Sequence, residues 1–319
     1  VTLLLTTTGQ VAGAVSPDVA KSNAVGVATV DGTKATIELL DGILTLEGQT
    51  TYSGAAAAKL NGCLVTVSSY KRDYLTLSKV NGKGASTALN LTTNRMGTKE
   101  LSAGARFFEQ VSNGRLVEID RSDITITSIQ ANKITYVGYD WAGRVDKLVL
   151  NDVTGDCYDY GMIYYRAAGY EESKDDGSEG SYQNGEIRVT NGSHTDGVSY
   201  VVGSVDGAKT NRMGGVAGSL DQLDGKNRMA AFMPLNEAAG IRRAQFDTDA
   251  MLLTTNSMVI PISDKVECYN KTTGDWFKPG EDGDHKAALN LALAFSDDIT
   301  VYYDRSPEEG GKVRIVVVE

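Results

Sequence analysis

Two acidic clusters are the first residues in this 319-residue chain with obvious chemistry in them. Glu281-Asp282-Gly283-Asp284 and Asp297-Asp298 offer the hard oxygen ligands that Ca²⁺ takes. Their spacing is not that of an EF-hand loop. Calcium at Asp282, Asp284, Asp297 and Asp298 therefore stands beside the plainer reading of solvated acidic loops. The chain has two histidines. His194 follows Asn191-Gly192-Ser193 and His285 follows Asp282-Gly283-Asp284, polar turn-like surroundings with no partner suggested nearby. A general base needs a partner and an orienting group at hydrogen-bond distance, so both read as surface loop residues. Cys63, Cys157 and Cys268 are far apart and outside any CxxC or Cys/His cluster, which fits neither a disulfide framework nor a metal site. A pair of carboxylates could work on a glycosidic bond, but among 41 acidic residues no pair is singled out. Tyr136, Tyr139 and Trp141 could form an aromatic platform for a sugar. Cross-strand packing accounts for Tyr136, and Trp141, at a turn beside Ala142-Gly143, is the binding candidate.

The stronger catalytic signatures are missing. The chain has no GxSxG elbow, no HExxH, no Walker loop and no GxGxxG opening a helix. Gly82-Lys83-Gly84 reads as a hairpin turn. Gly214-Gly215-Val216-Ala217-Gly218 lacks the lysine and hydroxyl of a phosphate cradle and reads as a close-packed bend. The expectation is a non-enzymatic protein without a cofactor, calcium aside.

The elements that would position these residues are mostly strands. Leu64–Ser68 and Tyr74–Ser78 alternate apolar and polar residues around Lys71-Arg72-Asp73, a hairpin pattern. Ile124–Thr127, Ile134–Gly138, Arg144–Leu150, Met258–Ile262, Ile299–Tyr303 and Val313–Val318 read as further strands. Asx-Gly turns such as Asp31-Gly32, Asn61-Gly62 and Asp206-Gly207 recur at short intervals. Helix is expected in a turn or two at Ala55–Leu60 and in a short amphipathic stretch at Asn236–Gln245. Lys286–Phe295 is ambiguous and leans toward strand because Ile299 follows it. The fold class expected is mainly β: tandem β-sandwich or small β-barrel domains with an internal repeat and few short helices.

The repeat is visible in the letters. Leu91-Thr92-Thr93-Asn94 is answered by Leu253-Thr254-Thr255-Asn256, and Ile134 to Asp140 by Ile299 to Asp304. Arg106-Phe107-Phe108-Glu109 aligns with Glu267-Cys268-Tyr269-Asn270, which makes Cys268 a buried, inert strand residue like Phe107. Each copy closes on a glycine turn and an apolar strand, at Gly143–Leu150 and Gly311–Val318. Two domains follow, 1–151 and 152–319, with a polar insertion at 171–184 too charged to bury. Leu3 to Gly9 resembles Val149 to Gly155, and Val1 to Leu5 reads as the closing strand of a unit whose remainder is cut away. A start at valine reads as a processed product or an excised fragment.

Composition bounds the partners. Thirty-one basic residues against 41 acidic give a net charge of −10 and a pI near 4.9, a balance that repels phosphate backbones. No run approaches the roughly 20 apolar residues of a membrane span. Nucleic acid and a membrane span are therefore not expected.

Lys147 to Asp156, Gly214 to Gly218 and Ile260 to Phe277 resemble the exported β-rich regions of S-layer-homology (SLH) domain-containing cell-surface proteins of gut Firmicutes. That resemblance implies an extracellular, cell-surface setting and a structural or adhesive role, and it carries over no catalytic residue. Attachment to the cell wall would run through parts outside this chain. The first expectation is a structural protein that assembles with itself into a surface layer or filament, through strand edges, with the hydrophobic runs Leu3–Leu5 and Ile315–Val318 suited to pair with a neighbouring strand, or through end-to-end domain contacts. The alternative is a carbohydrate- or protein-binding adhesin module.

Overall fold

Period-two runs of valine, isoleucine, threonine and tyrosine cannot bury a face alone, and the chain closes two barrels and pairs the other strands into open sheets. The computed structural model describes residues 2–5, 11–15, 24–40, 42, 45–51, 55–71, 73–80, 85–112, 114–140, 142–169, 171–173, 179–181, 184–203, 205–223 and 226–319. Trp141 and the Gly82-Lys83-Gly84 turn lie outside the described residues.

β1 (Thr2–Leu5) and β2 (Val11–Val15) form an antiparallel two-stranded sheet. Then β3 (Ala24–Asp31), β4 (Lys34–Leu39), β5 (Thr45–Thr50), β6 (Leu64–Lys71) and β7 (Tyr74–Lys79) close a barrel in the order β3-β4-β5-β7-β6, with α1 (Ala55–Ala58) between β5 and β6. On β4, Ala35, Ile37 and Leu39 point inward and alternate with Thr36 and Glu38 outside. They meet Ala28, Val65, Val67, Leu75 and Leu77 in the barrel core. Gly26 is required: a Cβ there would stand 2.3 Å from the Glu38 carbonyl oxygen.

Next come β8 (Leu89–Asn90), β9 (Arg95–Met96), β10 (Lys99–Gln110), β11 (Val117–Ile119), β12 (Ser128–Ile129), β13 (Ile134–Tyr139) and β14 (Val145–Asn151). A second barrel follows, from β15 (Asp159–Arg166), β18 (Gly185–Thr190), β19 (Val198–Val202), β20 (Arg212–Leu223) and β21 (Lys226–Pro234), in the order β15-β18-β19-β21-β20. Within the polar insertion, β16 (Glu171–Ser173) pairs with β17 (Glu179–Ser181), so a hairpin stands where a plain loop was expected. The chain ends with β22 (Asn236–Ile241), β23 (Phe246–Asp247), β24 (Leu252–Thr254), β25 (Val259–Asn270), β26 (Asp275–Phe277), α2 (His285–Phe295), β27 (Ile299–Tyr303) and β28 (Val313–Val318). By contact the chain divides into two compact units: residues 1–88, 95–108 and 130–150, and residues 89–94, 109–129 and 151–319.

The mainly β, tandem architecture matches the expectation, and the duplication runs deeper than the sequence suggests. Both barrels place their strands in the order first, second, third, fifth, fourth, with the third and fifth parallel, as in β5–β7 and β19–β21. This is a Greek-key order of the kind small OB-type barrels use, and topology alone assigns it no ligand. The sheets correspond as well. The run β9-β10-β14-β13 matches β24-β25-β28-β27, with β11 on β10 and β26 on β25.

One of the sequence anchors is displaced. Leu91–Asn94 connects β8 to β9, whereas Leu253-Thr254 belongs to β24. The structural counterpart of Leu89–Met96 is Phe246–Leu253. There the Asn90 carboxamide oxygen accepts from the amides of Thr92 and Thr93, and the Asp247 carboxylate accepts from those of Asp249 and Ala250. Asn94 at φ 52° and Met251 at φ 49° then close the two turns. The Asp140–Asp304 anchor holds. Each carboxylate accepts the amide of the residue that leads into the closing strand, Arg144 at 2.9 Å and Lys312 at 2.8 Å.

Three local expectations fail. Lys286–Phe295 is helix, because Ala288, Leu289, Ala292 and Leu293 bury one helical stripe and Asp284 caps its N-terminus. Asn236–Ile241 is strand, because it pairs with β27, and only Arg243–Gln245 makes a 3₁₀ turn. Ile124–Thr127 is not strand; the pairing segment is Ser128–Ile129. The long β25 extends the expected Met258–Ile262 strand to Asn270. Gly214 and Gly215 lie within β20, not in a bend. The packing reason still holds, since a Cβ on Gly215 would meet the Tyr160 ring at 2.6 Å.

Candidate functional site

Two places gather chemistry-bearing side chains, one in each unit. In the second unit β28 lies between β27 and β25, and all six of its residues are buried. One of them is Arg314, 1% exposed. A buried guanidinium needs partners for all its donors. Its Nε donates to Asp304 at 2.9 Å and one terminal nitrogen to Asp156 at 2.6 Å and Ser263 at 3.1 Å. The other terminal nitrogen reaches the Thr154 carbonyl and Asp304, and the guanidinium stacks 4.8 Å from the Tyr160 ring centre. Lys312 reaches Asp156 at 3.2 Å and Asp123 at 3.4 Å. Burial alone would raise the Asp156 carboxyl; the Arg314 and Lys312 cations override it and hold it below the usual carboxylate range. Arg305 donates to the Val153 carbonyl at 2.7 Å and pairs with Asp152.

Glu109, at the end of β10 and fully buried, accepts the Thr154 amide at 2.8 Å, the Val153 amide and the Thr154 hydroxyl. Burial raises its carboxyl pKa in spite of these bonds. Segment 152–156, the connection from β14 to β15, is thus held from three sides by charge-assisted bonds.

Beside this network lies a cavity of about 110 Å³ lined by both histidines, with Glu267, Lys265, Asn191 and Ser193 among its walls. Glu267, on β25, accepts the Gly192 amide at 2.8 Å and the Ser193 hydroxyl at 3.0 Å. His285 opens α2; its Nδ1 is 3.1 Å from the Val266 carbonyl oxygen and 3.7 Å from Glu267. The Asn191 carboxamide accepts the His194 amide at 2.7 Å and donates to the Tyr160 carbonyl at 2.9 Å. Burial raises the Glu267 carboxyl, against the pull of His285, the Gly192 amide, Ser193 and His194. His194 is exposed at a turn, as a surface loop residue is expected to be, whereas the reading of His285 as one is corrected. They line one cavity around one carboxylate, and the side chain of His285 is only 12% exposed. Chemically the group could pass a proton, but Glu267's bonds to Gly192 and Ser193 serve to tie the β18–β19 turn to β25.

In the first unit, residues 80, 85–87, 96–99, 135–137 and 139 line a groove of about 700 Å³. Tyr136, Tyr139, Lys99, Ser86, Thr87, Thr98 and Thr135 bring two phenol rings, one ammonium group and four hydroxyls to its walls. Tyr139 is 53% exposed, an unusual setting for a large ring, and the Lys99 ammonium stands 5.8 Å from its centre. Burial, with Asp146 adding to it, pushes the Tyr136 phenol up to about 12, so it stays a hydrogen-bond donor at neutral pH.

The four aspartates expected to hold calcium are not brought together. Asp284 is the N-cap of α2, with Asp282 just before it at φ 58°. Asp297 and Asp298 follow the other end of the helix, about 16 Å away at 1.5 Å per residue over eleven residues. Asp297 accepts the Arg243 amide at 2.7 Å, and Asp298 is engaged through its backbone, donating to the Ser296 hydroxyl at 3.0 Å. Among the described residues no group of three or more His, Cys, Asp or Glu could hold a metal ion. Cys268 is completely buried, as its alignment with the buried Phe107 implied, and Cys63 is buried as well. Among the described residues no helix is long and apolar enough to cross a membrane. No protein-family model matches the chain, no curated protein is similar to it, and no solved structure matches its fold.

Proposed function

We propose that the chain is a non-enzymatic structural protein of the cell envelope, built from tandem barrel-and-sheet units that associate with further copies outside the cell. The observation that supports this reading is the duplication itself. The same barrel order and the same four-strand sheet order occur twice in one chain. The densest set of ionisable groups, around Arg314, is buried and spent on holding the segment that joins one repeat to the next. Bracing of this kind stiffens the second unit, which suits a layer or filament. Because β28 is paired on both sides within its own sheet, this reading does not take exchange of the last strand as the route of association. End-to-end contacts between modules take that role. Analytical ultracentrifugation and negative-stain microscopy of the purified chain at high concentration, with and without Ca²⁺, test the proposal. Ordered oligomers or filaments are expected, and strictly monomeric behaviour under both conditions defeats it.

A second reading, a binding module of an exported protein, is favoured by the tyrosine-lined groove of the first unit. Retention of the monomeric chain on a glycan array is its test.

A further inference from the structure

We propose that the groove in the first unit binds an acidic saccharide, a sugar ring carrying a carboxylate or phosphate; this rests on the binding-module reading and gives it a site and a ligand class. The groove's volume of about 700 Å³ lies within the range usual for small-ligand sites. Sugars present two kinds of surface at once, flat C–H faces and a rim of hydroxyls. The walls offer the complement of both. Tyr139 is more than half exposed, and Tyr136 beside it supplies a neutral phenol. The hydroxyls of Ser86, Thr87 and Thr98 stand around them. Thr135 donates its own proton to the Val149 carbonyl at 3.0 Å, which leaves its oxygen as an acceptor.

Charge supplies the acidic part of the assignment. The chain carries −10 overall, yet the one charged side chain among the described residues lining the groove is the cation Lys99. It is placed over the exposed ring, so a sugar packed on Tyr139 would bring an acidic substituent against the ammonium. A neutral protein-like patch would not need this arrangement, and a cationic ligand would be repelled by it.

The test is titration of the full chain with tri-galacturonic acid and with maltotriose, followed by saturation-transfer NMR and calorimetry. Tri-galacturonic acid is expected to bind more tightly than maltotriose, and less tightly as salt is raised. Tyr139→Ala is expected to weaken it by about tenfold. Lys99→Gln is expected to weaken it by about twofold to fivefold and leave maltotriose unchanged. Both side chains are at the surface of the groove, so unchanged circular dichroism serves as the folding control. Equal binding of the two probes, insensitive to Lys99→Gln, overturns the acidic preference and leaves the binding-module reading standing. Glycan-array retention that survives Tyr139→Ala overturns the groove as the site while the module reading stands. Absence of binding by either probe at millimolar concentration, together with no array retention, overturns both.

Discussion

Replacing Arg314 by methionine tests whether the buried polar network holds the second unit together. The substitution keeps an unbranched apolar stem in the space of Arg314, which is 1% exposed, and removes the guanidinium. Lost with it are the bonds to Asp304 at 2.9 Å, Asp156 at 2.6 Å and Ser263 at 3.1 Å. Hydrogen bonds to charged groups contribute about 1.5–3 kcal/mol each, but their sum overstates a change in which neighbours keep other partners. Asp156 retains Lys312 at 3.2 Å, and Asp304 retains the amides of Arg305 and Lys312 at 2.8 Å. Breaking a buried ion pair from one side costs about 3–5 kcal/mol, and the remaining partners place this site near the lower end, about 3 kcal/mol. For a domain of this size each kcal/mol moves Tm by about 2–4 °C, so a fall of about 6–12 °C is expected. Urea titration followed by circular dichroism should show a lowered midpoint with an unchanged m-value. Adding Asp156→Asn to Arg314→Met should recover part of the loss, because it removes a buried charge left short of partners. In the wild-type background the same Asp156→Asn should destabilise. A loss under about 1 kcal/mol for Arg314→Met, or simple additivity of the two substitutions, would refute the reasoning.

Other perturbations have equally definite outcomes. The folded pKa of Glu109 lies above its ordinary 4.5, so the fold favours the protonated acid; that stabilisation is complete below about 4.5 and fades as pH rises through the raised value. Glu109→Gln should therefore flatten the fall in stability with pH above 4.5 in urea titrations run at a series of pH values, and an unchanged slope would contradict the assignment. Gly215→Ala should cost about 1–3 kcal/mol, since its Cβ would press the Tyr160 ring at 2.6 Å, and a neutral change in thermal unfolding would count against that packing. Cys268→Ala should cost on the order of 1 kcal/mol, and the wild-type thiol, buried and with its pKa pushed up, should resist a bulky maleimide in the folded protein; fast labelling would contradict this. Deleting Val313–Glu319 should unfold the sheet β25–β28 outright rather than leave a folded monomer, and a native-like proteolysis pattern would be the contrary result.

What the sequence made legible, and what it hid, follows from how far apart the deciding residues are. The barrel strands could be read because each needs only its own alternation, as Ala35, Ile37 and Leu39 do against Thr36 and Glu38. Helix α2 was readable in principle from Ala288, Leu289, Ala292 and Leu293 behind the Asp284 cap; the neighbouring strand at Ile299 drew the reading the wrong way. Asn236–Ile241 has little strand propensity of its own, and pairing with β27 imposes the conformation. The repeat was visible in strand order but misplaced at Leu-Thr-Thr-Asn. The conserved quantity there is a backbone turn, made with Asn90 and Asn94 in one copy and Asp247 and Met251 in the other. Identical letters marked the wrong turn, and different letters made the same one.

The candidate sites were less visible, for a geometric reason. Glu267, His194 and His285 meet only once a barrel turn, a long strand and a helix start are packed together, and no local pattern foretells that. Tyr136 and Tyr139 are closer in sequence, but three residues apart on a regular strand their side chains fall on opposite faces. By alternation alone they could not share a groove. The pairing of β13 with β14 shifts register between Gly138 and Tyr139: Gly138 faces Lys147 and Tyr139 faces Val145, so Asp146 of β14 is the extra residue, and a bulge of that kind bends and twists the pair locally. Both rings nonetheless line the same groove, one on each side of the irregularity. Gly138 is where such a shift is tolerated, since a Cβ there would stand 3.1 Å from Lys147 and 3.3 Å from Asp146 and from the Tyr136 hydroxyl. A bulge of this kind bends the pair and re-aims the side chains about it, which alternation in the sequence does not show.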